Sequence, residues 1–133
     1  PGSIPVLGWL LIFNTLMLGA DLDSARLRSA AFTGCVLRMA NFSLSKAQDV
    51  RFAQCDLTEA ALRDLRECKR VEFSACDLRR AELAGTRLAG MDLTTCEIGG
   101  NTWGPGLAEV RGAIVTPLQA MELARALGVR IQD

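Results

Sequence analysis

Apolar residues recur at every fifth position along most of this chain. Leu or Phe stands at 22, 27, 32, 37, 42, 52, 57, 62, 73, 78, 83, 88 and 93, with a small residue two places before most of them. A longer phrase, Phe-x-x-Cys-x-Leu, overlies that period. It reads FTGCVL from Phe32, FAQCDL from Phe52, FSACDL from Phe73 and, loosened, LTTCEI from Leu93, in steps of 20, 21 and 20 residues. Neither the helical period of about 3.6 nor the strand period of about 2 fits apolar residues five apart. A short extended segment followed by a turn does fit. If each five-residue unit forms one side, four units close a square turn of twenty. The central Leu or Phe and the small residue before it point inward, and the other three positions face water. Successive turns then stack at about the inter-strand distance of 4.8 Å.

The units ADLDS from Ala20, ANFSL from Ala40, CDLTE from Cys55, CDLRR from Cys76 and MDLTT from Met91 resemble the pentapeptide-repeat family, whose consensus is A(D/N)LxX. The resemblance covers roughly residues 20 to 100. It implies an all-β solenoid, a right-handed quadrilateral β-helix. With the C-terminal segment added, the expected architecture is about five coils closed by a capping α-helix. Three parts follow: an apolar N-terminal segment with a partial first coil over 1–19, the β-helix over 20–100, and a Gly-rich break, short strand and capping helix over 101–133.

The repeat sorts residues by face. The first face centres on Leu22, Phe42, Leu62 and Leu83, and the second on Leu27, Ala47, a break near Glu67 and Cys68, and Leu88. The third stacks Phe32, Phe52, Phe73 and Leu93; the fourth stacks Leu37, Leu57, Leu78 and Ile98. Leu62 and Phe73 are eleven apart, so one extra residue lies between them, read as a bulge at the corner of the second face.

The two ends differ from the coils. Pro1 to Ser3 reads as the remnant of a cleaved tag. The stretch IPVLGWLLIFNTLML from Ile4 keeps phase, with Ile12, Thr15 and Met17 twenty before Phe32, Cys35 and Leu37. Its outward positions, Trp9, Leu11, Phe13, Leu16 and Leu18, are apolar where later coils carry Asp, Arg, Ser and Thr. A membrane or signal segment fits poorly, because the run is short and lacks a basic leader. A cap over the open coil end, a self-association surface and an altered N-terminus remain open; an exposed apolar patch favours self-association. At the other end, RGAIV from Arg111 reads as one more short strand, and Val129 to Ile131 as a further one. Thr116 and Pro117 open a helix that Gly128 ends. Its expected apolar side is Leu118, Met121, Leu123, Ala124 and Leu127, and its polar side Gln119, Glu122 and Arg125. Such a helix covers the last coil, and Leu118, Met121 and Leu127 become candidates for a dimer contact. Family members of this layout imply the same.

At 133 residues, with half of them apolar, the chain is one domain with a narrow continuous core. Formal charge is zero, which gives no global pull toward nucleic acid or anionic membrane. There is no His and no Tyr, so the commonest general base and metal ligand is missing. No nucleophile–base pair or Gly-rich phosphate loop is present, and the chain reads as non-catalytic, with no cofactor and no metal. Cys35, Cys55, Cys76 and Cys96 share one inward position and form a ladder. They read as small apolar residues interchangeable with Ala, because a line of thiols does not converge on a metal and parallel side chains are poorly aimed for disulfides. Free thiols fit a reducing cytoplasm. Cys68, at the irregularity, is the thiol expected to be exposed.

Charge also sorts by face. Arg26, Lys46, Arg66 and Arg87 precede the second-face centres as a basic column, and Asp56, Asp77 and Glu97 precede the fourth-face centres as an acidic one. Outward positions of a coil must be polar, and Asp or Asn there also serves turn chemistry. The resemblance adds one specific expectation. Quinolone-resistance pentapeptide proteins bind DNA gyrase as DNA mimics, so an acidic column implies a topoisomerase partner. This chain departs from them in being short and neutral, with Arg79 and Arg80 interrupting the column and no projecting loop within the coils. The resulting reading is a protein-interaction module that forms a homodimer, with a topoisomerase-binding DNA mimic as the alternative. A scaffold or engineered variant without a dedicated partner is a third reading. Neither direct nucleic-acid binding nor membrane contact is expected.

Overall fold

The computed structural model describes residues 9–132; the tag-like Pro1 to Ser3 and the apolar residues 4–8 lie outside them. Four strands, β1 (Leu10–Phe13), β2 (Arg26–Thr33), β3 (Lys46–Ala53) and β4 (Arg66–Ser74), form one parallel sheet in chain order. Ile12 faces Phe32, Phe32 faces Phe52 and Phe52 faces Phe73, so the partial first coil is a true rung in phase with the rest. The other sides stack through single bridges: Leu16, Val36, Asp56, Asp77 and Glu97 on the fourth face, and Asp21, Asn41, Ala61, Glu82 and Thr102 on the first.

The period of five has a backbone cause. Asn14, Gly19, Ser24, Ser29, Gly34, Met39, Leu44, Asp49, Gln54, Glu59 and Asp64 all have positive φ, between 47° and 66°. Over residues 14–64 one left-handed residue ends each side and turns the chain through a corner. L-residues resist that conformation, which is why the position draws Gly, Asn, Asp and Ser where it can. Between corners the central residue packs inward. Leu37, Leu57 and Leu62 are fully buried, as are Ala40 and Ala60 two places before such centres.

Inside, like stacks on like. The rings of Phe32, Phe52 and Phe73 are nearly parallel with centroids 5.1 and 5.2 Å apart. Phe42 meets Phe32 and Phe52 edge-on at 6.2 and 5.6 Å, which suits the ring quadrupoles. The extra residue lies at the second face: Lys46 faces Arg66 but Gln48 faces Lys69, so Glu67 and Cys68 together oppose Ala47. That is a β-bulge, with additional left-handed residues at Glu67 and Arg70.

The regular sheet covers about three turns, fewer than the five coils expected. Beyond β4 the corners continue at Ala75, Arg80, Gly85 and Gly90, with φ of 50°, 59°, 80° and 78°. There the next rung meets the β4 region through hydroxyls: Leu65 N–H donates to Thr86 Oγ1 at 3.0 Å and Ala75 N–H to Thr95 Oγ1 at 2.9 Å. Among the described residues, bridges reach five levels only on the first and fourth faces. The stretch from Arg111 is likewise a single bridge, Asp92 to Ile114, and not a strand. A 3-10 segment, Pro105–Val110, precedes it and contains the left-handed Gly106 and Leu107.

Helix α1 (Pro117–Ala126) has a capping box in which Gln119 N–H donates to Thr116 Oγ1 and Thr116 N–H donates to Gln119 Oε1. Gly128, with φ of 87°, ends it: Gly128 N–H donates to Arg125 O and Val129 N–H to Ala124 O, both at 2.9 Å. This Schellman geometry turns the tail away, so Val129 and Ile131 stay exposed and form no strand. The orientation of α1 differs from expectation. Gln119 is buried and Leu118 is 76% exposed. The capping box fixes Gln119 toward the coil, and its neighbour Leu118 then projects outward.

Candidate functional site

From the second coil onward, the inward small position on the third-to-fourth corner is a thiol, where the first coil has Thr15. Sγ of Cys35, Cys55, Cys76 and Cys96 lies 3.5, 3.3, 3.2 and 3.4 Å from the carbonyls of Ile12, Phe32, Phe52 and Phe73. The thiols therefore donate weak hydrogen bonds to the preceding rung, which Ala cannot do. Ser45 and Thr86 play the same part toward Leu22 O and Leu62 O at another corner. All five cysteines are free. Cys76 is held far up as the thiol by hydrogen bonding with Cys55 and Cys96 and by burial. Cys68 is the least buried of the five but still half-covered, and burial pushes its thiol up to about 11.

The acidic column is in register, but each member carries an arginine. Arg38 Nη2 donates to Asp56 Oδ2 at 2.8 Å. Arg79 donates to Asp77 at 2.9 and 2.6 Å and reaches Glu97 at 3.2 Å. Both aspartates also build their own corners. Asp56 Oδ1 accepts from Thr58 N–H and Oγ1, and Asp77 Oδ1 accepts from Arg79 N–H. The Arg79 hydrogen bonds hold Asp77 below the usual carboxylate range. Burial pulls Asp56 upward, but hydrogen bonds from Thr58 and Arg38 outweigh it and leave the pKa lowered. The repeat-position carboxylates are thus turn residues first.

The basic column is different. Arg26, Lys46 and Arg66 face one another directly across β2, β3 and β4. With Ser24 and Leu44 they line a surface depression of about 310 Å³. Among the described residues, only Lys46 of the three has a carboxylate within 4.0 Å, that of Glu67. Arg87, expected as a fourth member, does not line this depression; it lines a second cavity of about 480 Å³ with Glu109 and Arg111. Glu109 was not singled out from sequence. Its buried carboxylate accepts from Gly85 N–H at 2.8 Å and Gly104 N–H at 2.9 Å, joining the 3-10 segment to the coil.

The two ends carry apolar surface. Leu11, Phe13, Leu16 and Leu18 are 55, 57, 72 and 55% exposed, and Leu10 joins them at 61%. Leu10 sits at an inward position with no rung beneath it among the described residues, a consequence that the outward-facing pattern alone did not show. Trp9 is partly covered, because the Arg51 guanidinium lies over its ring 4.4 Å from the centroid. On α1 Leu118 is exposed and Met121 half-buried, and Leu127 just after the helix is exposed. No helix among the described residues is long and apolar enough to cross a membrane.

No family model matches the chain, and no curated protein does. Solved structures do. HetL, a pentapeptide repeat protein involved in heterocyst differentiation regulation from the cyanobacterium Nostoc sp. strain PCC 7120, superposes with a TM-score of 0.65 at 19% identity. The match covers 79% of this chain and 48% of HetL, so the chain spans about half of HetL's length. A trypsin-treated form of QnrB1, a plasmid-mediated fluoroquinolone resistance protein, superposes with a TM-score of 0.58 at 19% identity, covering 92% of this chain and 90% of that one. At that identity the likeness is one of fold. The class it defines, together with the stacked parallel rungs, is the quadrilateral β-solenoid. With the repeat that builds those rungs, the chain has the fold of the pentapeptide-repeat proteins.

Proposed function

We propose that this chain is a non-catalytic interaction module of a reducing cytoplasm that pairs with a second copy of itself through its N-terminal rung. The observation that carries this reading is the exposure of Leu11, Phe13, Leu16 and Leu18 at positions polar in later coils. Among the described residues, no segment pairs with the outer edge of β1. An open strand edge flanked by apolar side chains is a template for another strand. A two-fold axis through that edge would make the contact self-complementary and closed. Leu118, Met121 and Leu127 offer a second apolar surface at the far end.

Light scattering tests it. The protein should run as twice its 14.3 kDa chain mass, and the Leu11→Ser, Phe13→Ser, Leu16→Ser variant as a single chain. These side chains are exposed, so the fold should survive. An unchanged mass in the variant, or a wild-type monomer at every concentration, would sink the idea.

The alternative is a topoisomerase-binding DNA mimic. The register of Asp56, Asp77 and Glu97 favours it, and the fold shared with QnrB1 is compatible with it. The arginines bound to all three carboxylates weigh against a field resembling a row of phosphates. A DNA gyrase supercoiling assay discriminates: a mimic inhibits, and loses inhibition when the three acids become amides.

A further inference from the structure

The unneutralised charge of the second face has a shape that fits one kind of partner. Arg26, Lys46 and Arg66 form one column, and Arg28, Gln48 and Lys69 a second, two residues on in β2 and β3 and three in the bulged β4. Among the described residues, Arg26, Arg28, Arg66 and Lys69 have no carboxylate within 4.0 Å, and the pair from Lys46 to Glu67 is at that limit. At the corners beside these columns, Arg70 is paired with Asp49. The fourth-face carboxylates, by contrast, all have partners. The chain is neutral overall, yet among the described residues four of the five cations in these two columns are unpaired, Lys46 being the exception.

The first column contains an exposed leucine. Leu44 lies in the same depression as Arg26, Lys46 and Arg66, is 39% exposed, and occupies a left-handed corner with φ of 63°. A branched apolar side chain is a costly choice at an exposed left-handed corner, where Gly, Asn or Asp serve better. Apolar contact area framed by cations suits a partner that presents both carboxylates and an apolar side chain.

We propose that the second face docks an acidic amphipathic α-helix of a partner protein, lying along the solenoid axis. The cations recur at the rung spacing of about 4.8 Å. Carboxylates at i, i+4 and i+7 of a helix recur at about its 5.4 Å pitch. Over the two steps from Arg26 to Arg66 the mismatch is roughly 1 Å, which long Arg and Lys side chains absorb. An extended strand repeats one side every 6.6 to 6.8 Å or so, and would miss by roughly 4 Å over the same distance. Three rungs face only about three phosphates of a nucleic-acid strand, too few to hold a duplex to a neutral protein. The inference deepens the interaction-module reading by naming a heterologous partner. It concerns the side of the solenoid, so its failure leaves pairing through β1 untouched, and the failure of that pairing leaves this face intact.

The probe is a fluorescent, helix-stabilised peptide of about 14 residues with Glu at i, i+4 and i+7 and Leu at i+3. Anisotropy should report saturable binding that weakens with salt. The Arg26→Glu, Arg66→Glu variant should lose at least tenfold in affinity, and should instead bind a peptide with Lys in place of Glu. Leu44→Gly suits the corner backbone, so it should fold normally and lose affinity several-fold. Unchanged circular dichroism and urea midpoints in each variant secure the comparison. The proposal is overturned by no binding at millimolar peptide, by equal binding to the charge-reversed variant, or by duplex DNA binding more tightly than the peptide.

Discussion

The side-chain amide of Gln119 is anchored on the carbonyl of Leu93, 2.7 Å away, and the same nitrogen donates to Cys96 O at 2.8 Å. Helix α1 thereby closes the last coil by satisfying carbonyls that would otherwise seek a rung above. Its Oε1 meanwhile caps the helix through Thr116 N–H. One residue holds both sides of the joint. Asn101 does the same one level lower, with Nδ2 donating to Leu78 O and Ala81 O.

Gln119→Ala should therefore destabilise the protein by roughly 2 to 3 kcal/mol, the loss of two hydrogen bonds with their carbonyls left buried. Leu118→Ala, one residue away but exposed, should change stability by less than about 0.5 kcal/mol. Urea unfolding of the two variants checks the contrast. Equal effects would mean that α1 is held by its apolar residues and not by Gln119.

The thiol ladder predicts a two-class labelling pattern. In the folded protein, iodoacetamide should reach Cys68 only, and slowly. Burial pushes that thiol up to about 11, so its labelling rate should climb roughly tenfold per pH unit toward that value. Cys35, Cys55, Cys76 and Cys96 should react only as fast as the protein unfolds. Mass spectrometry of partly labelled protein reads both classes. Early labelling of Cys76 would show that the column is open to solvent.

The solenoid was legible in the sequence because its geometry repeats every five residues and forces the same residue type to the same place. Phe32, Phe52 and Phe73 announce their own stacking. The bulge was legible for the same reason, as one surplus residue in a fixed count. What the pattern concealed were interactions made by single residues against the period. Gln119 looked like a solvent-facing residue of an amphipathic helix, because a buried amide bonded to two carbonyls has no periodic signature. The arginines of the fourth face were visible, but not that Arg38 pairs with Asp56 on the next rung. The thinning of the sheet after β4 was hidden too, because Leu83, Leu88 and Leu93 continue the apolar count unbroken while the hydroxyls of Thr86 and Thr95 accept from the rung below.

Corner residues give a prediction of opposite sign to most substitutions. Met39 is 51% exposed and left-handed, with φ of 58°. An L-residue there costs about 1 to 2 kcal/mol, and Asn tolerates the conformation better. Met39→Asn should raise stability by roughly 0.5 to 1 kcal/mol, and Met39→Val should lower it by at least as much, since a β-branched residue is least at ease with positive φ. Thermal denaturation orders the three proteins. If Val is tolerated as well as Met, the corner is not left-handed in solution.

The fourth-face pairs predict how the protein meets acid. Hydrogen bonds from Arg79 lower Asp77 from its ordinary value of 3.8, and those from Thr58 and Arg38 lower Asp56 against the upward pull of burial. A carboxyl whose pKa is lowered by folding adds stability above its unfolded value, and that stability is lost as pH falls through the folded value. The loss should accordingly fall below about pH 4. The Asp56→Asn, Asp77→Asn variant keeps an oxygen to accept the corner N–H groups but cannot titrate or pair as an ion. Its urea midpoint should be lower than wild type at pH 6, while the gap should narrow as both are taken toward pH 2. A gap that stays constant across that range would show that the arginine pairs contribute nothing to folding and that the two aspartates act through their turns alone.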